Sequence, residues 1–351
     1  MFRLAPWQAV IRSALEVRVV QTTFFRPRRS RCRYAQVRLI WLSQEPAIQI
    51  ARNIVIPSRG PSVETALATP KLGTTSSGSF WKRLRFVKTL PFFLMHVSCL
   101  AVFLVAFHWK WVALMVVLYA VRMFAVTAGY HRYFSHRSYK LNRVWQFLLA
   151  FAAETSCQKG VLWWAANHRH HHRYADKEED IHSPGLHGIW WSHVGWILSE
   201  EYERYDARTI KDFGKYPELR WLDRYHWIPP IALAGVLLAF GGWPAFVWGF
   251  LVSTVVLFHG TFCINSLSHL WGTRRFDTPD HSRNNFTLAV ITLGEGWHNN
   301  HHRHMYACRQ GMRWWEIDVT YYALWCLGRI GIVHELRGFR LPSDPRPEEA
   351  G

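Results

Sequence analysis

The chain has 351 residues, is 50% hydrophobic and 16% aromatic with 20 Trp, and carries a formal charge of +18. That apolar and Trp content excludes an ordinary soluble domain. The six cysteines contain no Cys-x-x-Cys pair, which excludes a disulfide framework and an iron–sulfur site and suits a protein facing a reducing compartment.

Residues 1–60 hold eleven Arg against two Glu, half of the net charge, with no Lys, Asp or His. No interleaving of basic and aromatic residues supports nucleic-acid binding. The segment is expected to be a poorly ordered extension, ending in the flexible linker GTTSSGS, so that 1–79 stands apart from a membrane domain over 80–335. A basic run, Lys82, Arg83, Arg85 and Lys88, precedes residues 90–107, which carry no charge and are long enough for a transmembrane helix of about 27 Å. A second apolar stretch, 111–128, follows after three residues and carries one charge, Arg122. The basic flank sets the start of this hairpin on the cytoplasmic side.

Residues 129–226 form a cytoplasmic block whose apolar stretches, 145–153 and 188–196, are too short to span and read as interfacial. A second hairpin, 227–241 and 243–262, starts at Pro229-Pro230 and turns at Gly241-Gly242. Residues 314–332 are expected to be one more interfacial helix, and the Pro- and charge-rich tail, 336–351, to be flexible. The expected fold is all-α and membrane-integral, with four transmembrane helices in two hairpins under a cytoplasmic helical cap.

Three histidine clusters follow these spans: His131-Arg-Tyr-Phe-Ser-His136, His168-Arg-His-His171-His172 and His298-Asn-Asn-His301-His302, with Asn265-Ser-Leu-Ser-His269 besides. His168, His171 and His172 lie at i, i+3 and i+4 and share one helical face, as do His298, His301 and His302. Asn265 and His269 are one turn apart, whereas His170 points away and is excluded as a ligand. His131 and His136, five apart, do not share an α-helical face, so the spacing places them where a helix ends. His96, His108, His226, His259 and His334 stand alone and read as structural or surface residues. An even number of spans separates the clusters, so nine histidines meet on the cytoplasmic side. Nine imidazoles exceed what one four-coordinate metal uses, which implies two metals of the Zn, Cu, Fe or Ni type.

Boxes HxxxxH, HxxHH and HxxHH on two hairpins resemble the integral-membrane fatty acyl desaturases, and most of all the stearoyl-CoA (delta-9) group. The resemblance rests on Gly129-Tyr-His-Arg-Tyr-Phe-Ser-His-Arg-Ser-Tyr139, Ser192-His-Val-Gly-Trp196, Asn265-Ser-Leu-Ser-His269 and Gly294-Glu-Gly-Trp-His-Asn-Asn-His-His302. Trp297-His-Asn-Asn-His-His302 and Trp314-Trp-Glu-Ile-Asp318 look like the bacterial branch. It implies two iron ions cycling between Fe2+ and Fe3+, held by His131, His136, His168, His171, His172, His269, His298, His301 and His302, with Asn265 engaged through water. It implies a kinked acyl tunnel at Gln158, Trp164 and Thr261, and a cis double bond between carbons 9 and 10. The implied substrates are O2 and a saturated acyl-CoA or lipid-linked acyl chain, in the bacterial inner membrane with the site facing the cytoplasm. The chain has no haem, flavin or nicotinamide fingerprint, so electrons are expected from a separate ferredoxin- or cytochrome-type carrier with an NAD(P)H reductase.

One departure concerns the carrier. Where the animal acyl-CoA enzymes have an Arg-Asp pair and a basic pair for the CoA head group, this chain has Ala166-Asn167 and Leu186-His187. Arg169, Arg173 and the Lys82–Lys88 cluster are the remaining basic groups. Glu295, three residues before His298, is a candidate partner for a ligating imidazole. Two alternatives stand beside the desaturase: a membrane di-iron hydroxylase, whose first box is usually HxxxH, and a membrane metal-binding or transport protein.

Overall fold

The computed structural model describes residues 86–339. The expected extension over 1–79, the basic side chains at 82–88 and the tail from residue 340 lie outside them. The described residues are helical, and their only β pairing is three isolated bridges. Among the described residues, two helices are long and apolar enough to cross a membrane, Trp109–Ser135 and Ile228–His269, and a shorter apolar one runs over Thr89–Leu104.

The first helix, α1 (Phe86–Ser98), tightens into a 3-10 turn at Cys99–Leu104. His108, which reads in sequence as a bystander, accepts a hydrogen bond from Lys110 N–H at 3.1 Å and caps α2 (Trp109–Phe124). Contrary to the expected end near Gly129, this helix runs on as a wide π segment, Ala125–Ser135. The 42 residues of Ile228–His269 do not form one rod. Gly242, at φ +66°, interrupts α7 (Ile228–Phe246), and beyond it come a π segment, Val247–Val252, and α8 (Ser253–Ser266). A Cβ on Gly249 would lie 3.3 Å from Leu237. In a straight helix those positions are about 18 Å apart, so the chain folds back at the glycine pair, as its sequence predicts.

Between α2 and α7 lie α3 (Arg143–Glu154), α4 (Val161–Tyr174), a π turn at Trp191–Gly195 that passes into α5 (Trp196–Leu198), and α6 (Pro217–Arg224). Beyond α8, a 3-10 turn (Leu267–His269) leads to α9 (Phe286–Ile291), α10 (His298–Arg303) and α11 (Val319–Arg329). The helix expected over 314–332 is thus shorter. Asp318 caps α11 by accepting from Tyr321 N–H, and Glu316 accepts from Met312 N–H, so the two acids that interrupt the apolar run are buried acceptors before the helix. The principal core packs Tyr130, Phe134 and Tyr139 against Ala150, Ala165 and Leu222, locking the π segment between α3, α4 and α6.

The N-terminus of α4 is held by two acids, the half-buried Asp223 and the buried Glu154. Asp223 accepts from Leu162 and Trp163 N–H at 2.8 and 2.9 Å, and Glu154 from Val161 N–H at 3.0 Å. Gly160 is required there, because a Cβ would sit 2.2 Å from Asp223 Oδ1. Burial, with the nearby Asp223 adding to it, pushes the Glu154 carboxyl up to about 9 against the lowering effect of its amide bond. An acid with a raised folded pKa binds its proton more tightly when folded. Its contribution is complete below the ordinary value of 4.5 and is lost as pH rises toward about 9. Glu154→Gln keeps the acceptor and removes the titration. Its melting temperature relative to the parent is expected to climb between pH 5 and pH 8, and a pH-independent difference would contradict the assignment.

Candidate metal centre

Four elements converge on one place. The π segment carries His131 with His136 at its end, α4 carries His168, His171 and His172, the 3-10 turn ends in His269, and α10 carries His298, His301 and His302. Their imidazoles fall into two groups, His131, His136, His168, His172 and His301 in one, and His171, His269, His298 and His302 in the other. Within each group the donor atoms lie within 4.8 Å of one another. Neighbouring residues on α4 and α10 (171 and 172, 301 and 302) fan out to different groups.

The first box sits where a helix ends, as its spacing predicts, with His131 in the last turn of the π segment and His136 just beyond it. A π turn closes from residue i to i+5, and His136 N–H donates to the His131 carbonyl at 3.3 Å. A five-residue interval is therefore one full turn here, and it brings the two rings to 4.9 Å.

The Nε2 atoms face inward. His301 Nε2 lies 3.0 Å from His131 Nε2 and 2.9 Å from His172 Nε2, and His168 Nε2 is 2.9 Å from both His136 and His172 Nε2. In the second group His269 and His298 approach at 3.1 Å. Outward, the Nδ1 atoms of four rings meet carboxylates: His171 with Asp180 at 2.9 Å, His269 with Asp176 at 2.7 Å, His302 with Asp280 at 3.0 Å, and His131 with Glu295. A carboxylate accepts the hydrogen bond of Nδ1–H, which keeps the ring's proton on Nδ1 and leaves Nε2 as a bare lone pair. Nitrogen lone pairs at 3 Å repel unless a cation lies among them, and one N–H cannot serve two Nε2 neighbours. This donor set therefore fits two metal ions of the imidazole-binding type.

Electrostatics agree. Burial alone would raise the carboxyls of Asp176, Asp180 and Asp280, but the imidazole partners hold all three well below the usual carboxylate range. Burial, then the crowding of other rings, drives His168, His172, His298 and His301 well below their ordinary value, and His302 falls to about 4. These five rings are neutral at pH 7, which is the ligating state. Arg132, 1% exposed, ties the frame together, donating to Glu295 at 3.0 Å and Asp318 at 2.9 Å, and Gln310 donates to the other Glu295 oxygen at 2.8 Å. Asn300 donates to Glu316 and the Gln310 carbonyl, fixing α10.

Of the partners, sequence reasoning found Glu295 and missed Asp176, Asp180 and Asp280, whose contacts cross 93, 9 and 22 residues. It also missed His182, which stacks on His171 at 4.2 Å and forms a third group with His171 and Asp180. His170 donates to the Glu179 carbonyl, away from both groups.

Against the first group lies a cavity of about 830 Å3. Gln158, Trp164 and Thr261 all line it, with Gln158 donating to Thr261 at 3.1 Å and Trp164 stacked on His168 at 5.0 Å. Asn265 lines this cavity and a small one that touches His131, His171 and His298. The sequence profile of the fatty acid desaturase family matches residues 107–325, the whole stretch holding these groups. The chain belongs to that family. This desaturase is 34% identical over 258 residues to the sn-1 stearoyl-lipid 9-desaturase of Anabaena variabilis, covering 73% of this chain and 94% of that one. It is 37% identical over 247 residues to an acyl-CoA 5-desaturase of Anemone leveillei, covering 69% and 76%. It is 35% identical over 273 residues to the chloroplastic palmitoyl-monogalactosyldiacylglycerol delta-7 desaturase of Arabidopsis thaliana, covering 76% and 72%.

The carboxylates make a separate prediction. Asp280→Asn leaves all nine imidazoles in place but weakens the hold on the His302 proton, so metal affinity should fall by roughly 10–100-fold. Metal retained after dialysis against a graded chelator measures this, and unchanged retention would show that Asp280 does not act through His302.

Proposed function

We propose that this desaturase removes two hydrogens from a saturated acyl chain to leave a cis double bond between carbons 9 and 10, using O2 and two iron ions. The observation that carries the reading is the contact of the five-histidine group with a mostly apolar cavity of about 830 Å3 through His168. Bound iron would supply the oxidising power, drawn from O2 and two electrons, that an unactivated methylene pair demands.

The ten residues His131, His136, His168, His171, His172, Asn265, His269, His298, His301 and His302 are assigned to the metal site. The nine imidazoles are ligands and Asn265 acts at the cavity wall. Gln158, Trp164 and Thr261 shape the bend that sets which methylenes face His168. The aromatic walls, Trp164, Phe258 and Phe262 among them, exclude water. Each turnover also consumes two protons and two electrons, reducing O2 to two waters, and a separate carrier protein with its reductase is assigned to deliver the electrons. Relatives named as 9-desaturases support the carbon position, although other relatives carry the names of 5- and 7-desaturases.

The membrane reading combines the two long apolar helices with the fold-back at Gly242 and the helix over Thr89–Leu104, which gives four crossings. Large side chains left exposed on them, such as Phe103, Leu104, Trp109 and Phe240, suit hydrocarbon rather than water. The site faces the cytoplasm of a bacterial inner membrane, in a domain over 80–335 between an accessory N-terminal extension and a short tail.

His168→Ala and His302→Ala should each abolish activity in cells, while His170→Ala keeps at least about half of it. Gas chromatography of total lipids should show palmitoleate or oleate. Full activity in either ligand variant would overturn the metal assignment, a hydroxylated product the reaction type, and a double bond elsewhere the tunnel.

A further inference from the structure

Arg122 is the one charge of the apolar stretch 111–128, and the metal centre makes no use of it. It is 2% exposed. A guanidinium inside an apolar helix is costly, so what it touches carries information. Its acceptors are neutral oxygens. It donates to the Leu118 carbonyl at 3.3 Å on its own helix, to the Thr155 carbonyl at 3.2 Å, to Thr254 Oγ1 at 2.8 Å and to Ser253 Oγ. One side chain thus joins α2 to the end of α3 and to the start of α8. A planar fork fixes several donor directions at once, which an ammonium does not.

The two elements tied there carry the two halves of the cavity bend. Gln158 follows three residues after Thr155, and Thr261 lies on α8 seven residues, or two helical turns, after Thr254. Gln158 stands between two residues in the left-handed conformation, Cys157 at φ +60° and Lys159 at φ +65°. Residues with a Cβ disfavour that region, and such backbone persists only where its surroundings hold it. Both ends of this turn are held. Arg122 takes the Thr155 carbonyl, while the fully buried Tyr130 donates to the Lys159 carbonyl at 2.7 Å and stacks on Trp164 at 5.4 Å. The turn and α8 therefore meet at two ties, Gln158 with Thr261 on the cavity side and Arg122 behind it.

We infer that Arg122 is a positioning residue for regiochemistry: by bridging the Thr155–Gly160 turn and α8, it sets where the Gln158–Thr261 pair crosses the cavity, and hence which carbons of the acyl chain lie against His168. The inference rests on the reading of that pair as the bend of the acyl cavity. Gln158, Thr261 and His168 line the same cavity, as do Cys157 and Lys159 on either side of Gln158. The methylenes of a saturated chain are chemically alike, so placement alone separates one carbon from the next. An apolar pocket discriminates a single methylene by roughly 10–200-fold, and only while its walls stay in place. The bridge is stiff behind the pair. Ser253, itself buried, passes its hydrogen bond on to the Gly249 carbonyl, and a Cβ on Gly249 would lie 3.0 Å from Leu118 Cδ1.

Full-length variants expressed in cells without a desaturase of their own test this. Double-bond positions are read by gas chromatography and mass spectrometry of derivatised lipids, and iron is measured on the purified chain. Arg122→Met keeps the bulk and removes the fork. Minor positional isomers are expected to rise about tenfold relative to the parental one, with iron retained. Arg122→Lys should fall between the two. Thr254→Val removes one acceptor at nearly constant shape and should shift the same ratio by a smaller factor. It decides the matter where Arg122→Met does not accumulate or forms no product. The parental isomer ratio in the deciding variant would overturn the inference, since a guanidinium that only stabilises the fold changes the amount of product and not its pattern. Thr261→Val breaks the cavity-side tie and tests the underlying reading separately. If that variant also keeps the parental ratio, the pair is not the bend; if it scrambles the isomers while Arg122→Met does not, the role of Arg122 alone is refuted.

Discussion

The pairing of a carboxylate with the outer nitrogen of an imidazole is the interaction on which the rest of this structure depends. Four such pairs surround the two nitrogen groups, and each fixes a tautomer as well as a ring plane. Without them the crowded Nε2 atoms could relax by sharing protons, and the site would become a hydrogen-bonded cluster instead of a set of lone pairs. The carboxylates are buried, and an unpaired buried carboxylate is costly. Each imidazole therefore stabilises its partner as much as the partner orients it. Arg132 extends the same logic by balancing Glu295 and Asp318.

A second constraint joins this polar site to an apolar scaffold. The helix over Trp109–Ser135 begins among exposed apolar residues and ends in the first histidine box without a break. Its last turns widen into π geometry, which places residues five apart on one face in a register that an α-helix does not offer. The other long helical stretch ends the same way, through a 3-10 turn into His269. Rigid apolar helices thus deliver two ligand-bearing ends to one place, and α4 and α10, held by Asp223, Glu154, Asn299 and Asn300, supply the rest.

Much of this was legible in the residues. The i, i+3, i+4 histidines obey the ordinary helical period, and α4 and α10 present them as that period dictates. The glycine pair at 241–242 marks the fold-back because a positive φ is cheap only there. Other features were hidden for physical reasons. The interval between His131 and His136 marks a helix end, where the structure has both residues, but the π turn that brings their rings together is not anticipated by periodicity arguments. Asp280 lies in a loop and reaches His302 through tertiary packing, so no local pattern announces it. The aromatic run from Trp314 imitates an interfacial helix, yet Glu316 and Asp318 are required elsewhere as acceptors and delay the helix to Val319. Gln158 and Thr261 meet across 103 residues, which family resemblance suggests and spacing alone does not.

The most direct measurement of the central claim is iron-edge X-ray absorption, with iron content, on reduced protein purified from iron-replete cells. Two irons per chain, each in a shell dominated by imidazole nitrogen, are predicted by the groups of five and four histidines. One iron per chain, or a shell dominated by carboxylate oxygen from Asp176, Asp180 or Asp280, would contradict the account.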